Sequence, residues 1–176
     1  MRRPDLVPEC GSCAAPCCVA TSFEASEHFA FDKPAGVACR HLARDRRCTI
    51  HAVLVERGMR GCAAYDCYGA GQRATAAFAG APAGLRRLRN EAFLALRAVH
   101  ELVWLASEAL ALCPASSGEL GERLARELAE LEALAAGTPV RLLGLDLTER
   151  ERELRALVRS VGDALGGPGG AGPQRA

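Results

Sequence analysis

The sequence predicts a mainly α-helical protein in which a small, irregular, cysteine-rich N-terminal module precedes an antiparallel helical hairpin or three-helix bundle. Two observations lead to this fold class. Eight of the nine cysteines lie between Cys10 and Cys67, in a segment that glycine and proline interrupt repeatedly. From Pro82 to about Leu165, by contrast, leucine, valine and alanine recur at helical spacing.

The chain is therefore divided into three predicted parts. Residues 1–78 form a cysteine-rich metal-binding module, residues 79–166 form the helical region, and residues 167–176 form a glycine-rich, disordered tail. The apolar residues of the first part show no sustained period, so this part buries little surface and needs a staple to keep one structure. A metal ion is the first candidate for that staple.

Three helices are expected in the second part. The first has Pro82 in its first turn and is apolar on most sides over Val99–Leu112, which we expect to be enclosed by neighbours or to contact an unknown protein partner or a second copy. The second begins at Ser116 and the third at Thr148, where S-S-G-E and T-E-R-E offer capping boxes. A short connection makes the first two helices antiparallel.

Composition excludes several functional classes. The net charge of +1 gives no electrostatic reason to expect nucleic acid binding. No apolar run is long enough to span a membrane, and the N-terminus has no apolar segment of a secretory signal. We therefore expect a cytoplasmic protein, in which clustered thiols indicate metal or redox chemistry before disulfides.

The cysteine spacing predicts the ligands. Cys10 and Cys13 form a C-x2-C pair and Cys62 and Cys67 a C-x4-C pair, both within the range that zinc sites use. The adjacent Cys17–Cys18 sulfurs would point to opposite sides of an extended backbone, so they suit two ions or different atoms of one cluster. The eight candidate ligands then fill two four-coordinate sites or one polynuclear centre. They are Cys10, Cys13, Cys17, Cys18, Cys39, Cys48, Cys62 and Cys67.

Other residues have simpler interpretations. His41 and His51 are possible substitutes among the ligands, although a solvent or capping role is the plainer reading. Cys113 stands alone and is interpreted as a small buried hydrophobe. His100 is expected to be partly buried with a hydrogen bond. The G-x-G-x-x-A stretch Gly69–Ala74 lacks a preceding strand, so a glycine turn explains it better than a nucleotide site.

The sequence does not identify the metal. Soft thiolate ligands suit zinc, iron–sulfur clusters and Cu(I) alike. The bacterial iron–sulfur run C-x2-C-x2-C-x3-C-P does not match C-x2-C-x3-C-C, which favours zinc modestly.

The pattern C13-AAP-C17-C18, with further cysteines to Cys67, resembles the zinc- or iron-chelating cysteine-cluster family, also called the CxxxCC or YkgJ-like family. The stretches FAFDKPAGVACRHLARDRRCTIH and GCAAYDCYGAGQ are more closely similar to the cysteine-rich head of bacterial proteins catalogued as pentapeptide-repeat proteins. The repeats themselves are absent here. The resemblance covers roughly residues 8–75, and it implies that the eight cysteines are metal ligands.

Three functions agree with these observations. The first is a structural or interaction module built on a closed zinc or iron site. The second is an iron–sulfur redox or electron-transfer protein, and the third is a thiol redox protein or metal chaperone. No catalytic residue is assigned, and an iron–sulfur-dependent oxidoreductase is the enzyme class to expect if the chain is an enzyme.

Overall fold

A computed structural model describes residues 4–166 and confirms the predicted fold class: the chain is mainly helical, with bundle-like packing and an irregular N-terminal region. In chain order the α-helices are α1 (Cys17–Ala20), α2 (Arg60–Ala64), α3 (Ala70–Ala77), α4 (Arg86–Leu112), α5 (Gly118–Ala136) and α6 (Thr148–Gly166). The tail predicted for residues 167–176 lies outside the described residues.

Short elements connect these helices. Single turns of 3-10 helix occupy Pro4–Leu6, Cys10–Ser12, His51–Val53, Ala83–Leu85 and Pro139–Leu142. Within the described residues, β structure consists of two isolated antiparallel bridges, Phe23 with Lys33 and Leu42 with Cys48. The N-terminal segment is thus held by turns and single bridges instead of a sheet.

Helix α4 is the centre of the fold, because α1, α3, α5, α6 and the turn Pro139–Leu142 all pack against it. Enclosure by so many neighbours explains why it is apolar on most of its sides after Val99. Its buried residues are Ala92, Phe93, Leu96, Val99, His100, Leu102, Val103, Ala106 and Ala109. Over residues 4–166, the structure contains no helix with both the length and the apolar character that crossing a membrane requires.

One hydrophobic core joins the N-terminal segment to the bundle. Leu6, Ala20, Ala70 and Ala74 belong to the same buried cluster as the leucines and valines of α4, α5 and α6. The small residues of α3 let its backbone approach α4 closely. The two ends of the cysteine-rich segment are therefore anchored on the bundle, whereas the stretch between them is not.

The start of α5 differs from the sequence prediction. The helix begins at Gly118, its N-cap is Ser117, and the Ser117 side chain makes no capping hydrogen bond. Ser116 lies in a turn that the Ser117 N–H closes onto the Pro114 carbonyl at 2.9 Å. The predicted capping box from Ser116 to Glu119 is therefore wrong, because this turn takes Ser116 out of the capping position.

The starts of α6 and α4 also differ from the sequence prediction. Thr148 is the first residue of α6, and the Asp146 carboxylate accepts its N–H at 2.9 Å, so the cap comes from Asp146. This bond lowers the pKa of Asp146. Pro82 precedes the 3-10 turn Ala83–Leu85, and α4 itself begins at Arg86. Sequence spacing located the helices, but local turns decide their first residues.

His100 fastens the cysteine-rich segment to α4. Its side chain is 2% exposed, and its Nδ1 lies 2.6 Å from the Tyr68 carbonyl oxygen, which confirms the predicted hydrogen-bonded histidine. Burial lowers the pKa of His100 below its ordinary value of 6.5, and Arg73 adds to this effect, while the Tyr68 carbonyl and Asp5 oppose it.

A pH dependence of stability follows from His100. Because its folded-state pKa is depressed, neutral His100 contributes stability that is present above pH 6.5 and is lost as the pH falls through the folded-state pKa. We expect the free energy of unfolding to fall less between about pH 7.5 and about pH 5.5 in His100→Gln than in the wild type. Urea unfolding at both pH values measures this. His28→Gln changes an exposed histidine and should show the same change in unfolding free energy between the two pH values as the wild type. If His100→Gln also showed the wild-type change, His100 would not be the source of the pH dependence.

Candidate metal centre

Seven of the eight predicted ligands line a single cavity of about 630 Å³. They are Cys10, Cys17, Cys18, Cys39, Cys48, Cys62 and Cys67. The eighth, Cys13, lies beside this cavity against α3. All nine cysteines fall in the described part of the chain, and all are free thiols. The fold thus gathers thiols from positions up to residue 67 without forming a disulfide.

Seven of the cysteines line one cavity, but they are not arranged as the coordination shell of a metal ion. Within residues 4–166, no three side chains of histidine, cysteine, aspartate or glutamate stand at positions that could already hold one ion together. Binding an ion would therefore require the thiols to deprotonate and their side chains to move inward. The donor set itself fits a soft or borderline metal, since thiolates are the ligands that zinc and iron–sulfur clusters favour.

Helix α3 positions Cys13. The Cys10–Ser12 turn brings the Cys13 N–H to 3.4 Å from the Cys10 carbonyl, and the Ala14 N–H donates to Thr75 Oγ1 at 2.9 Å. Thr75 Oγ1 also lies 3.9 Å from the Cys13 sulfur. A Cβ added at Gly71 would lie 2.8 Å from the Cys13 sulfur and 3.6 Å from that of Cys67, so glycine leaves room for both sulfurs.

The peptide around Cys67 is held from both sides by α4. Arg97 Nε donates to the Asp66 carbonyl at 3.0 Å, and His100 Nδ1 contacts the Tyr68 carbonyl. Cys67 also packs against the hydrophobic core. Gly69 adopts a φ of +75° at the N-cap of α3, so the predicted glycine turn is confined to Gly69, and the rest of the G-x-G-x-x-A stretch forms the start of α3.

The adjacent pair Cys17 and Cys18 forms the start of α1, so the backbone here is helical and not extended as the sequence argument assumed. The neighbouring Cys17 and Cys18 thiols interact, which raises the pKa of Cys17 and lowers that of Cys18 to about 7; Lys33 adds to the lowering at Cys18, and burial opposes it. A lowered thiol pKa increases the thiolate fraction of Cys18.

Cys39 and Cys48 reach the cavity from the loops between α1 and α2. The Cys39 N–H donates to the Cys18 carbonyl at 2.9 Å. The chain then reverses direction between Leu42 and Cys48, which form an antiparallel bridge. Arg46, in the turn between them, has a φ of +66°. Backbone hydrogen bonds thus place Cys39 and Cys48 on the side of Cys18.

Cys62 and Cys67 have different thiol neighbours, although their spacing suggested a pair. Burial and the charges of Cys18, Cys39 and Cys48 raise the pKa of Cys62 to about 11, opposed by Lys33. For Cys13, burial, then Cys67 and Cys10, raise the pKa, while hydrogen bonds to Ala15 and Thr75 lower it. The extended backbone after α2, which begins at Tyr65, separates Cys62 from Cys67.

Lys33 is a buried cation among these thiols. Its side chain is 4% exposed, and its ammonium donates to the carbonyls of Val19, Thr21 and Pro34. Burial lowers the pKa of Lys33, and four thiols oppose that effect: Cys39, Cys18, Cys17 and Cys62. A positive charge in this position favours thiolate over thiol at its neighbours.

Aromatic side chains close one side of the cavity. Phe23 and Phe29 stack with ring centroids 4.4 Å apart, and both line the cavity. A Cβ at Gly61 would lie 2.1 Å from the Phe29 ring, so glycine is required for this contact. His41 and His51 also line the cavity; His41 packs edge-on against Phe31, and His51 is exposed.

Cys113 lies apart from this centre. Its sulfur is 3.9 Å from the Pro114 carbonyl, and its side chain packs against the bundle core. The interpretation of Cys113 as a small buried hydrophobe is therefore confirmed for its apolar packing, although its side chain is only partly buried.

Sequence reasoning missed Lys33, Gly71 and Thr75 as residues of the site. Lys33 did carry a signal, because it is the one lysine in a chain that otherwise uses arginine for all its basic residues, and it lies between the cysteines. Gly71 and Thr75 gave no signal, since only the packing of α3 shows that they contact Cys13.

Comparisons with known proteins give one informative similarity. The chain is 33% identical over 156 residues to the uncharacterized protein YybG of Bacillus subtilis (strain 168). The aligned region is 85% of this chain and 55% of YybG, so the chain spans about half the length of this relative. No protein-family model matches the chain, and no solved structure matches it. The similarity therefore relates the chain to a protein of uncharacterized function.

The position of Lys33 predicts the reactivity of Cys18. In metal-free, reduced protein, Lys33→Met should raise the pKa of Cys18 above about 7, because the thiolate loses a nearby positive charge. The pH dependence of alkylation at Cys18, followed by peptide mass spectrometry, measures this pKa. Arg40→Met removes an exposed cation that packs on Phe31 and should leave the profile unchanged. Superimposable profiles for Lys33→Met and wild type would show that Lys33 does not act on Cys18.

Proposed function

We propose that this protein binds zinc or iron through its eight clustered cysteines and works as a structural or interaction module. One observation carries the proposal: seven of the eight cysteines line a single cavity, and the eighth lies against α3 beside it. Thiols that are distant in sequence converge here without pairing as disulfides. Metal ligation is the common use of such a cluster in a reducing compartment, and we propose the cytoplasm as that compartment.

The weak apolar packing around the cluster supports a structural role. From residue 21 to residue 69, all of which the structure describes, Met59 is the one apolar side chain that is buried. Such a segment gains little free energy from the hydrophobic effect. A bound structural metal would supply folding free energy on the order of 10 kcal/mol, enough to hold the loops in place.

The likeness to the CxxxCC family supports the same proposal, because members of that family share eight cysteines thought to bind metal. The similarity to YybG adds no activity, since that protein is uncharacterized. The helical region would then offer the surface for a protein partner or for a second copy. Leu112, at the end of the stretch proposed for that contact, is 59% exposed.

A thiol redox protein is the second candidate, and the Cys17–Cys18 pair favours it. The lowered pKa of Cys18 makes its thiol a better nucleophile at neutral pH, and a second thiol, Cys17, is its neighbour in the chain. Ligation to a metal would occupy this sulfur, so the two functions compete for Cys18. An iron–sulfur redox or electron-transfer protein uses the same ligands and differs in the metal.

Metal analysis of protein purified without oxygen and under reductant separates these functions. We expect zinc or iron bound at a defined ratio to protein, and its loss in a variant with all eight cluster cysteines changed to serine. The matched control is Cys113→Ser, which removes a thiol outside the cluster and should keep the metal.

The visible spectrum of the same samples identifies the centre. Colourless protein with zinc supports the structural module, whereas charge-transfer bands with acid-labile sulfide would establish the iron–sulfur alternative. Folded protein that contains no metal, takes none up and exchanges disulfides would contradict the proposal and leave the redox function.

A further inference from the structure

We infer that the eight cysteines form two separate four-thiolate sites, each for one divalent metal ion such as zinc. The first site consists of Cys10, Cys13, Cys17 and Cys67. The second consists of Cys18, Cys39, Cys48 and Cys62. The inference rests on the proposed metal-binding function and adds to it the number of sites and the ligands of each.

The first site lies against the helical bundle. Cys17 and Cys67 pack against the hydrophobic core, and the sulfurs of Cys13 and Cys67 both lie beside Gly71 of α3. The Cys10–Ser12 turn connects Cys10 to Cys13 through a backbone hydrogen bond. Cys10, Cys17 and Cys67 also line the same cavity. We therefore assign these four cysteines to one site, between the N-terminal turn and α3.

The second site lies between α1, α2 and the loops that connect them, with Cys18 in α1 and Cys62 in α2. Cys39 is tied to Cys18 by a backbone hydrogen bond of 2.9 Å, and Cys48 is brought back beside the same loop by its bridge to Leu42. Cys62 lines the cavity together with Cys18, Cys39 and Cys48. None of these four side chains packs against the hydrophobic core, in contrast to Cys17 and Cys67.

The Cys17–Cys18 pair separates the two sites. Successive residues of an α-helix point about 100° apart, so the start of α1 can turn one sulfur to the bundle and the next to the loops. The two sites meet here, because Cys17 and Cys18 are adjacent in the chain and both line the same cavity. Four thiolates complete the tetrahedral coordination shell of a zinc ion. Two such shells use all eight cysteines.

Lys33 belongs to the second site by position. Its ammonium donates to the carbonyls of Val19 and Thr21, in the segment that directly follows Cys18. A divalent ion with four thiolates carries a net charge of about −2, and the buried ammonium offsets part of this charge. The first site has no such buried lysine, since Lys33 is the one lysine of the chain.

Zinc stoichiometry in paired variants tests the division. By native mass spectrometry and zinc titration, wild-type protein should bind two zinc ions. The variant Cys13→Ser/Cys67→Ser changes two ligands of one site and should retain one zinc. The variant Cys13→Ser/Cys62→Ser changes the same number of ligands, one in each site, and should retain none. Cys113→Ser serves as the control and should retain two.

The outcomes separate the inference from the proposed function. Wild-type protein that binds no metal overturns the proposed function. If wild-type protein binds metal and both paired variants lose all of it, the eight cysteines form one polynuclear centre. That result overturns the division into two sites but not the proposed metal binding.

Gly71→Ala gives a second test that changes no ligand. Its Cβ would displace the Cys13 sulfur, so the affinity for one of two zinc ions should fall by about tenfold or more while the other is unchanged. Gly162→Ala in α6, where a Cβ meets nothing within 4 Å, should leave both affinities unchanged. If Gly71→Ala lowered the affinity for both zinc ions equally, the division into two sites would be contradicted. This test can be made even if the serine variants fail to fold.

Discussion

Sparse apolar burial is the constraint that shapes the N-terminal half of the structure. The segment from residue 21 to residue 69 enters the hydrophobic core through Cys67, and its one buried apolar side chain is Met59. Turns and two isolated bridges satisfy part of its backbone but bury little surface. The proposed metal ions would replace the missing core, and the bundle around α4 would provide the fixed surface on which the first site forms.

Electrostatics gives the cluster two different forms. Burial and neighbouring thiols raise the pKa values of Cys10, Cys13, Cys48 and Cys62. Deprotonation on metal binding would place several thiolates around the Lys33 ammonium. A buried charge costs free energy unless it is compensated, so Lys33 would link the charge of this region to the loading of the proposed site.

Helical periodicity explains why so much of the fold could be predicted from sequence. The apolar stripes of α4, α5 and α6 are local patterns, and Leu96, Leu124 and Leu154 are all fully buried. Helix starts were predicted less well, because turns at Ser116 and Asp146 compete with the capping boxes. For the cysteines, spacing predicts the ligands but not their grouping, since α1 and the loops decide which sulfurs meet. Lys33 was missed because its burial and its hydrogen bonds to the carbonyls of Val19 and Thr21 follow from how the loops fold and not from a periodic pattern.

Amide hydrogen exchange under reductant, before and after removal of metal by a chelator, tests the central claim most directly. The account predicts that amides between residues 21 and 69 lose their protection when the metal is removed, while those in the middle of α4 keep it. Protection of that segment that is unchanged after complete metal removal would contradict the account, because it would show that the loops hold their structure without an ion.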